Sequence, residues 1–312
     1  MFVLFDHKDK SYQDLARQES ELWGRSKSAE RTCWFDSPTV CRYINQSISG
    51  RPDVDWLEYV KQRYLSRPAA RGLNLGCGHG ELERMIVRRN LVQHMDGVDI
   101  SAGAVAQATT LAAQEGLADR VLYRVGDAND LDRSLPQAQY DVVFVSMALH
   151  HFAHLEKSLY SVQSMLKPKG LFIVNEFIGP DRFQWTEAQL DAANRILACF
   201  PSEIKANLRE PGKKITRVTR PSLKYMKENF AFEAICSERI VPALYDKFHI
   251  IEQKNYGGTI LHLLFEAIMG NFKEETNREH AILVRMACVM EKLLLDQGVL
   301  QHDHALLICK RK

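Results

Sequence analysis

The sequence predicts an α/β fold, in which a parallel sheet carries helices on both faces and an antiparallel last strand completes it. Three observations predict it. Between residues 71 and 178, short apolar runs alternate with amphipathic helical ones, the rhythm of βα units. The first run, Leu73-Asn74-Leu75, enters Gly76-Cys77-Gly78-His79-Gly80 and then an amphipathic stretch, which reads as strand, tight turn and helix N-terminus. The second and third runs end on acidic residues, Asp99 and Asp127. Right-handed crossovers in such a sheet place a ligand at the carboxyl ends of the strands, near the topological switch point.

The remaining elements follow in order. Apolar stripes predict helices over 11–22 and 56–65, flanking an aromatic, polar stretch that contains Trp34, Phe35 and Tyr43. Residues 1–70 therefore read as an N-terminal helical cover, which packs on the core or closes over a bound ligand. The core, 71–179, takes strands at 72–75, 95–99, 121–126, 140–147 and 170–177, with helices at 82–92, 102–115 and 154–166. Residues 180–236 break the rhythm and read as an inserted lobe on the acceptor side. They hold a helix over 185–200 and a run of seven basic residues (Lys205, Arg209, Lys213, Lys214, Arg217, Arg220, Lys224) against Glu210 alone. That run is either a solvated face or a surface turned to an acidic acceptor. Residues 237–312 complete the sheet with a helix over 237–247, a strand over 248–256 and a last strand over 305–309. Between these strands, Thr259 is placed to cap a helix over 260–269 that is apolar nearly all round. A long helix over 277–297 carries Ile282, Met286, Val289 and Leu293.

Composition narrows the class. The chain has 312 residues, 46% of them hydrophobic and 26% charged, which suits a soluble globular protein with a sizeable core. A net charge of +2 gives no basic excess of the nucleic-acid-binding kind. No run approaches the roughly 20 apolar residues of a membrane span. The apolar start, Met1 to Phe5, meets Asp6 at once and is too short for a signal-peptide core. Seven scattered cysteines without a C-x-x-C pair suit free thiols in a reducing cytoplasm.

The glycine turn offers unpaired amides and a partial positive charge to a nucleotide-type ligand. Asp99 lies about 20 residues past it, where a carboxylate at the end of the next strand accepts ribose hydroxyls. Asp127, followed by Ala128, sits where an adenine edge would reach. His150 and His151 follow the fourth strand, and Glu176 closes the fifth. Each is a candidate base, since imidazole is suited to proton removal near neutral pH. No metal is expected: His302-x-His304 and His150-His151 lack the ligand spacing of a zinc site.

Taken together, G-x-G-x-G at Gly76, Gly78 and Gly80, then Asp99, then Asp127-Ala128, then Leu166-Lys167-Pro168-Lys169-Gly170 before the fifth strand resemble the class I, Rossmann-like, S-adenosylmethionine (SAM) methyltransferases. The resemblance covers residues 70–178 well and the last strands moderately. It implies SAM as the cofactor, with Asn74, Gly76, Cys77, Gly78, Gly80, Asp99, Ile100, Asp127, Ala128 and Ser146 around it. Asn74 departs from the acidic residue many relatives carry there. The Asn/Asp-Pro-Pro-aromatic motif of enzymes that methylate base or amide nitrogens is replaced by Ser146-Met147-Ala148-Leu149, which argues against a nucleobase. The leading expectation is methylation of a hydroxyl or amine on a small-molecule or glycan-type acceptor. A protein lysine methyltransferase docking an acidic surface is the alternative. A nicotinamide oxidoreductase is disfavoured because Glu81 stands at the third glycine of G-x-G-x-x-G. A SAM-binding module without catalysis is the remaining alternative. Oligomeric state is not specified by the sequence.

Overall fold

A computed structural model describes residues 10–24, 33–131 and 138–312. The apolar start from Met1 to Phe5 lies outside the described residues. The described residues form a seven-stranded sheet in the order β3-β2-β1-β4-β5-β7-β6. Its strands are β1 (Ala69–Leu75), β2 (Val92–Asp99), β3 (Val121–Val125), β4 (Tyr140–Ser146), β5 (Leu166–Phe177), β6 (Phe248–Gly257) and β7 (His304–Arg311). The first five pair in parallel, whereas β7 runs antiparallel to both β5 and β6. Chain order reverses between β1 and β4, which pair directly from Gly72↔Val142 to Leu75↔Val145. That switch point fixes where a ligand can enter.

Alternate side chains of each strand feed two cores, as the period of two requires. Val142, Phe144, Ile173, Leu306 and Ile308 join one. Val143, Val145, Phe172, Val174, Leu307 and Cys309 join the other. The first core is covered by α2 (Pro38–Ser49), α3 (Trp56–Tyr64), α4 (Glu81–Arg88), α5 (Ala102–Gln114) and α7 (Glu187–Cys199). The second is covered by α6 (Leu155–Met165) and α9 (Ser237–Lys247). α1 (Lys10–Trp23) lies against the start of α5, where Ser101 Oγ donates to Ser20 O at 2.8 Å. α8 (Leu223–Asn229) lies between α7 and α9.

Three elements differ from the sequence expectation. α2 falls in the stretch for which pattern predicts no helix. Ser37 caps it, Pro38 begins it and Gly50 ends it at φ 77°. The apolar run 260–269 yields only a short helix, α10 (Leu261–Phe265). Ala267 takes φ 63° and interrupts it. Thr259 is not its cap; Thr259 Oγ1 accepts from Gln189 Nε2 at 2.7 Å. The all-round apolar pattern reported burial, which holds, rather than helix length. The long helix α11 (Arg278–Asp296) faces the opposite way to its apolar stripe. Ile282, Met286, Val289 and Leu293 are exposed, and Val284, Ala287, Cys288 and Glu291 are buried. Its inner face is kept small and carries one acid with a specific task. Glu291 accepts from Gly258 N (2.9 Å), Ile260 N (2.7 Å) and Leu261 N (3.0 Å), the amides of the turn after β6.

That turn carries Tyr256 and His262 to the cavity wall. Glu291→Ala should leave three buried amides unpaired and lower stability by about 2–4 kcal/mol, read as a fall in the urea midpoint. An unchanged midpoint would show that the turn does not need the carboxylate.

Candidate active site

The turn after β1 is shaped by close approach. Gly76, at φ 75°, donates to Val98 O at 2.8 Å, and a Cβ there would stand 2.4 Å from the Ala148 Cβ. Gly80, at φ 73°, would drive a Cβ into the Tyr123 ring, whose hydroxyl donates to Gly80 O at 2.7 Å. Between them Gly78 N donates to Asp99 Oδ2 at 2.8 Å, and Ser101 N donates to Asp99 Oδ1 at 2.8 Å. Asp99 thus clamps the glycine turn to the start of α5 and keeps a lone pair on each oxygen for a ligand. Burial lifts its carboxyl above the ordinary range, against the pull of the two amides.

A cavity of about 1410 Å³ opens at this edge of the sheet. Ligand pockets commonly measure about 300–1,000 Å³, so there is room for a nucleotide-type cofactor and a second molecule. Asn74, Gly76, Cys77, Gly78, Asp99, Ile100, Asp127, Ala128, Ser146, His150 and His151 all line it. Gly80 and Glu176 do not. Gly80 lies behind the turn, and Glu176 is fully buried.

Two of these lining residues have partners that sequence spacing did not foreshadow. Asp127 accepts Tyr12 O–H at 2.6 Å from α1, and Asn129 N at 2.8 Å. Asn74 Nδ2 donates to Glu83 Oε1 at 2.5 Å, while Asn74 Oδ1 and Glu83 Oε2 have no partner. An acid therefore stands beside position 74 after all, supplied from the first turn of α4. Burial pushes its carboxyl up to about 7.

The histidines lie in a 3₁₀ turn, Leu149–His151, just past β4. Glu176, at the end of β5, accepts Ala148 N (2.9 Å), Leu149 N (2.6 Å) and Phe177 N (2.7 Å), and also faces His150 Nδ1. It orients His150 and has no surface to offer an acceptor. The other nitrogen, His150 Nε2, faces Glu233 Oε1 at 3.4 Å. Burial alone would lower His150, but Glu176 and Glu233 override it and hold the imidazole up to about 10. Burial likewise opposes ionisation of Glu233, yet His151 and His150 keep its carboxyl down at about 2. His151 Nδ1 lies 3.3 Å from Glu19 Oε1 of α1, and its Nε2 lies 3.9 Å from Glu233 Oε2.

Beyond the histidines the wall is aromatic. Phe183 stacks on Trp185 at 5.3 Å and 13°, Trp34 and Phe177 pack around His304, and Tyr225, Phe230 and Phe232 come from α8 and the turn after it. Trp185 Nε1 and His262 Nδ1 are buried donors or acceptors without partners on this wall. Of the basic run, Arg209 alone reaches the cavity among the described residues. The rest stay outside, where Lys213 pairs Glu210 at 2.5 Å and Arg220 pairs Glu187 at 2.9 Å.

The chain matches the methyltransferase-domain family model over residues 66–255. It belongs to the class I SAM-dependent methyltransferases. Its cofactor is SAM, and the residues fit it: a glycine turn open toward the cavity, a clamped carboxylate at Asp99 and an unpaired oxygen on Asn74. Among curated proteins, the methyltransferase is 27% identical to 27-O-demethylrifamycin SV methyltransferase of Amycolatopsis mediterranei, over 71% of this chain and 80% of that one. It is 28% identical to a sterol 24-C-methyltransferase of Gibberella zeae, over 55% of this chain but only 43% of the relative. A demethylmenaquinone methyltransferase of Thermus thermophilus is 28% identical over 45% of this chain and 61% of its own length. Among solved structures, geranyl diphosphate C-methyltransferase of Streptomyces coelicolor, held with S-adenosylhomocysteine, shares the fold at a TM-score of 0.52 and 12% identity, covering 98% of this chain and 99% of that one.

The Glu83 carboxyl gives a pH signature. Folded, it keeps its proton up to about pH 7; unfolded, it releases it near 4.5. The folded state binds more protons between those values, so stability falls as pH rises through them, by about 3 kcal/mol in all. Glu83→Gln should flatten that fall in urea unfolding measured from pH 4.5 to 7.5. A slope equal to wild type would place the carboxyl elsewhere.

Proposed function

We propose that this methyltransferase moves the methyl group of SAM to a hydroxyl on a small, largely apolar, ring-bearing molecule held in the aromatic chamber. The observation that carries the reading is the junction of the two halves of the cavity. The glycine turn and Asp99 border one half, stacked aromatic side chains line the other, and the His150–His151–Glu233 cluster stands between. Methyl transfer from a sulfonium needs mainly alignment of acceptor, methyl and sulfur, because the cofactor is already activated. A hydroxyl acceptor must also lose its proton, and the cluster is where that occurs in this reading.

The wall supports an apolar acceptor. Sugars need many polar partners, whereas the aromatic wall offers rings with a few unpaired nitrogens, those of Trp185, His262 and His304. Three of the curated relatives are named for a demethylrifamycin, a sterol and a demethylmenaquinone, all small molecules. The inserted lobe, 180–236, and the N-terminal cover act as the acceptor side, since Trp34, Trp185, Tyr225 and Phe232 border the chamber. A protein acceptor docked by the basic run gains little support, because Lys213, Arg220 and Lys224 are paired with acids on the outer surface.

Incubation with methyl-labelled SAM and a cell extract tests the acceptor class. Label should enter organic-extractable small molecules; label confined to precipitated protein or to water-soluble sugars would overturn the reading. With the acceptor in hand, His151→Ala should lower kcat by about 10²–10⁴-fold and leave SAM affinity intact. Trp185→Ala should raise the acceptor KM about tenfold with SAM affinity again unchanged. Near-wild-type kinetics in both would remove the chamber from the acceptor's path.

A further inference from the structure

Two histidines adjacent in sequence and a glutamate from the inserted lobe meet at the centre of the cavity. One donor atom from each of His150, His151 and Glu233 lies within 4.8 Å of the others. His150 Nε2 is 3.4 Å from Glu233 Oε1, and His151 Nε2 is 3.9 Å from Glu233 Oε2. A tetrahedral ion with ligands at about 2.0–2.1 Å sets its donors about 3.3 Å apart. Separations in the cluster run up to 4.8 Å, so the side chains close by up to about 1.5 Å to grip one.

The far sides of the two rings carry the second observation. Metal-binding histidines usually present the other ring nitrogen to a carboxylate, which fixes the tautomer and leaves a lone pair aimed at the ion. His150 does so, its Nδ1 facing Glu176; His151 Nδ1 lies 3.3 Å from Glu19 Oε1 without a hydrogen bond between them. An Nδ1–H toward Glu176 turns the other His150 nitrogen, Nε2, to the Glu233 side, and Glu176, Glu19 and Glu233 gather three carboxyl groups around the ring pair, an arrangement that attracts a cation.

The backbone holds this arrangement. Ile235 N donates to His150 O at 3.0 Å, joining the lobe to the histidine turn. The Arg182 guanidinium donates to Phe230 O at 2.9 Å and to Glu233 O at 3.4 Å. Ala234, at φ 48°, bends the chain directly after Glu233. All three donor residues border the cavity, so a fourth coordination position is open to it.

We propose that His150, His151 and Glu233 form a binding site for a divalent transition-metal ion, with Glu176 and Glu19 as its positioning residues. Two imidazoles and one carboxylate suit zinc and its first-row neighbours, whereas magnesium and calcium prefer all-oxygen sets. The role of the ion, though not its binding, rests on the methyl-transfer reading. An acceptor hydroxyl taking the open position is acidified by the ion, its proton passes to water, and the resulting alkoxide attacks the methyl group. Sulfur keeps the electron pair of the broken bond and leaves as a neutral thioether.

The test is a titration of the untagged protein, saturated with S-adenosylhomocysteine, with Co²⁺ as a spectroscopic probe. The expected result is one equivalent bound, with the visible absorption of four- or five-coordinate cobalt, and displacement by Zn²⁺. Glu233→Gln should weaken binding at least tenfold. Glu176→Gln should weaken it about 10–100-fold, while S-adenosylhomocysteine still binds both variants. If Glu233→Gln does not fold, His151→Asn serves in its place. Only the pale spectrum of hydrated cobalt, or wild-type affinity in a folded ligand variant, overturns the site. Failure of S-adenosylhomocysteine to bind would instead strike the methyl-transfer reading and leave the ion result standing.

Discussion

Glu176 has no solvent exposure, yet its oxygens face four groups: the amides of Ala148, Leu149 and Phe177, and the His150 ring. It sits at the end of β5 and reaches across to the turn that follows β4. Because these strands are neighbours in a parallel sheet, their ends lie side by side at the ligand edge. The carboxylate ties them together there. A buried acid is costly unless every oxygen is used, and here every oxygen is. The position of the histidine pair follows from that one group.

The two halves of the cavity are built differently. The half around the glycine turn comes from that turn, the ends of β2 and β3, and little else. Its residues are fixed by backbone bonds, such as those from Gly78 N and Ser101 N to Asp99. The aromatic half is assembled from remote pieces. α1 brings Glu19 and Trp23, a 3₁₀ turn brings Trp34, the segment between β5 and α9 brings Trp185, Phe232 and Glu233, and the turn after β6 brings His262. Rigid strands set the first half, and packing between separate segments sets the second.

That difference explains what the sequence could reveal. The alternation of strand and helix, the glycine turn and Asp99 depend on neighbours within one βα unit, so periodicity and spacing capture them. The antiparallel β7 was legible too, as an apolar run at the end of the chain. Glu83, Tyr12, Glu19 and Glu233 were not, because their roles arise from contacts with residues far along the chain, apart from Glu83. Glu83 lies only nine positions after Asn74 and could have been found by asking which acid on the first turn of α4 points back at β1. The apolar stripe of α11 misled for a plain reason. An apolar surface pattern cannot tell a core face from an outward one when the inner face is made of Ala287, Cys288 and a buried Glu291. Strand starts also ran early: β5 begins at Leu166, in pairing with Tyr140, where Pro168 suggests a turn.

The most direct measurement is calorimetric titration of the folded protein with S-adenosylhomocysteine, set beside Asp99→Ala. The account predicts one saturable site in the wild-type chain. It also predicts binding weaker by about 1–3 kcal/mol in the variant, the cost of leaving the ligand's hydroxyls and the clamped turn without their acceptor. No binding to a folded wild-type chain, or equal affinity in the variant, would contradict it.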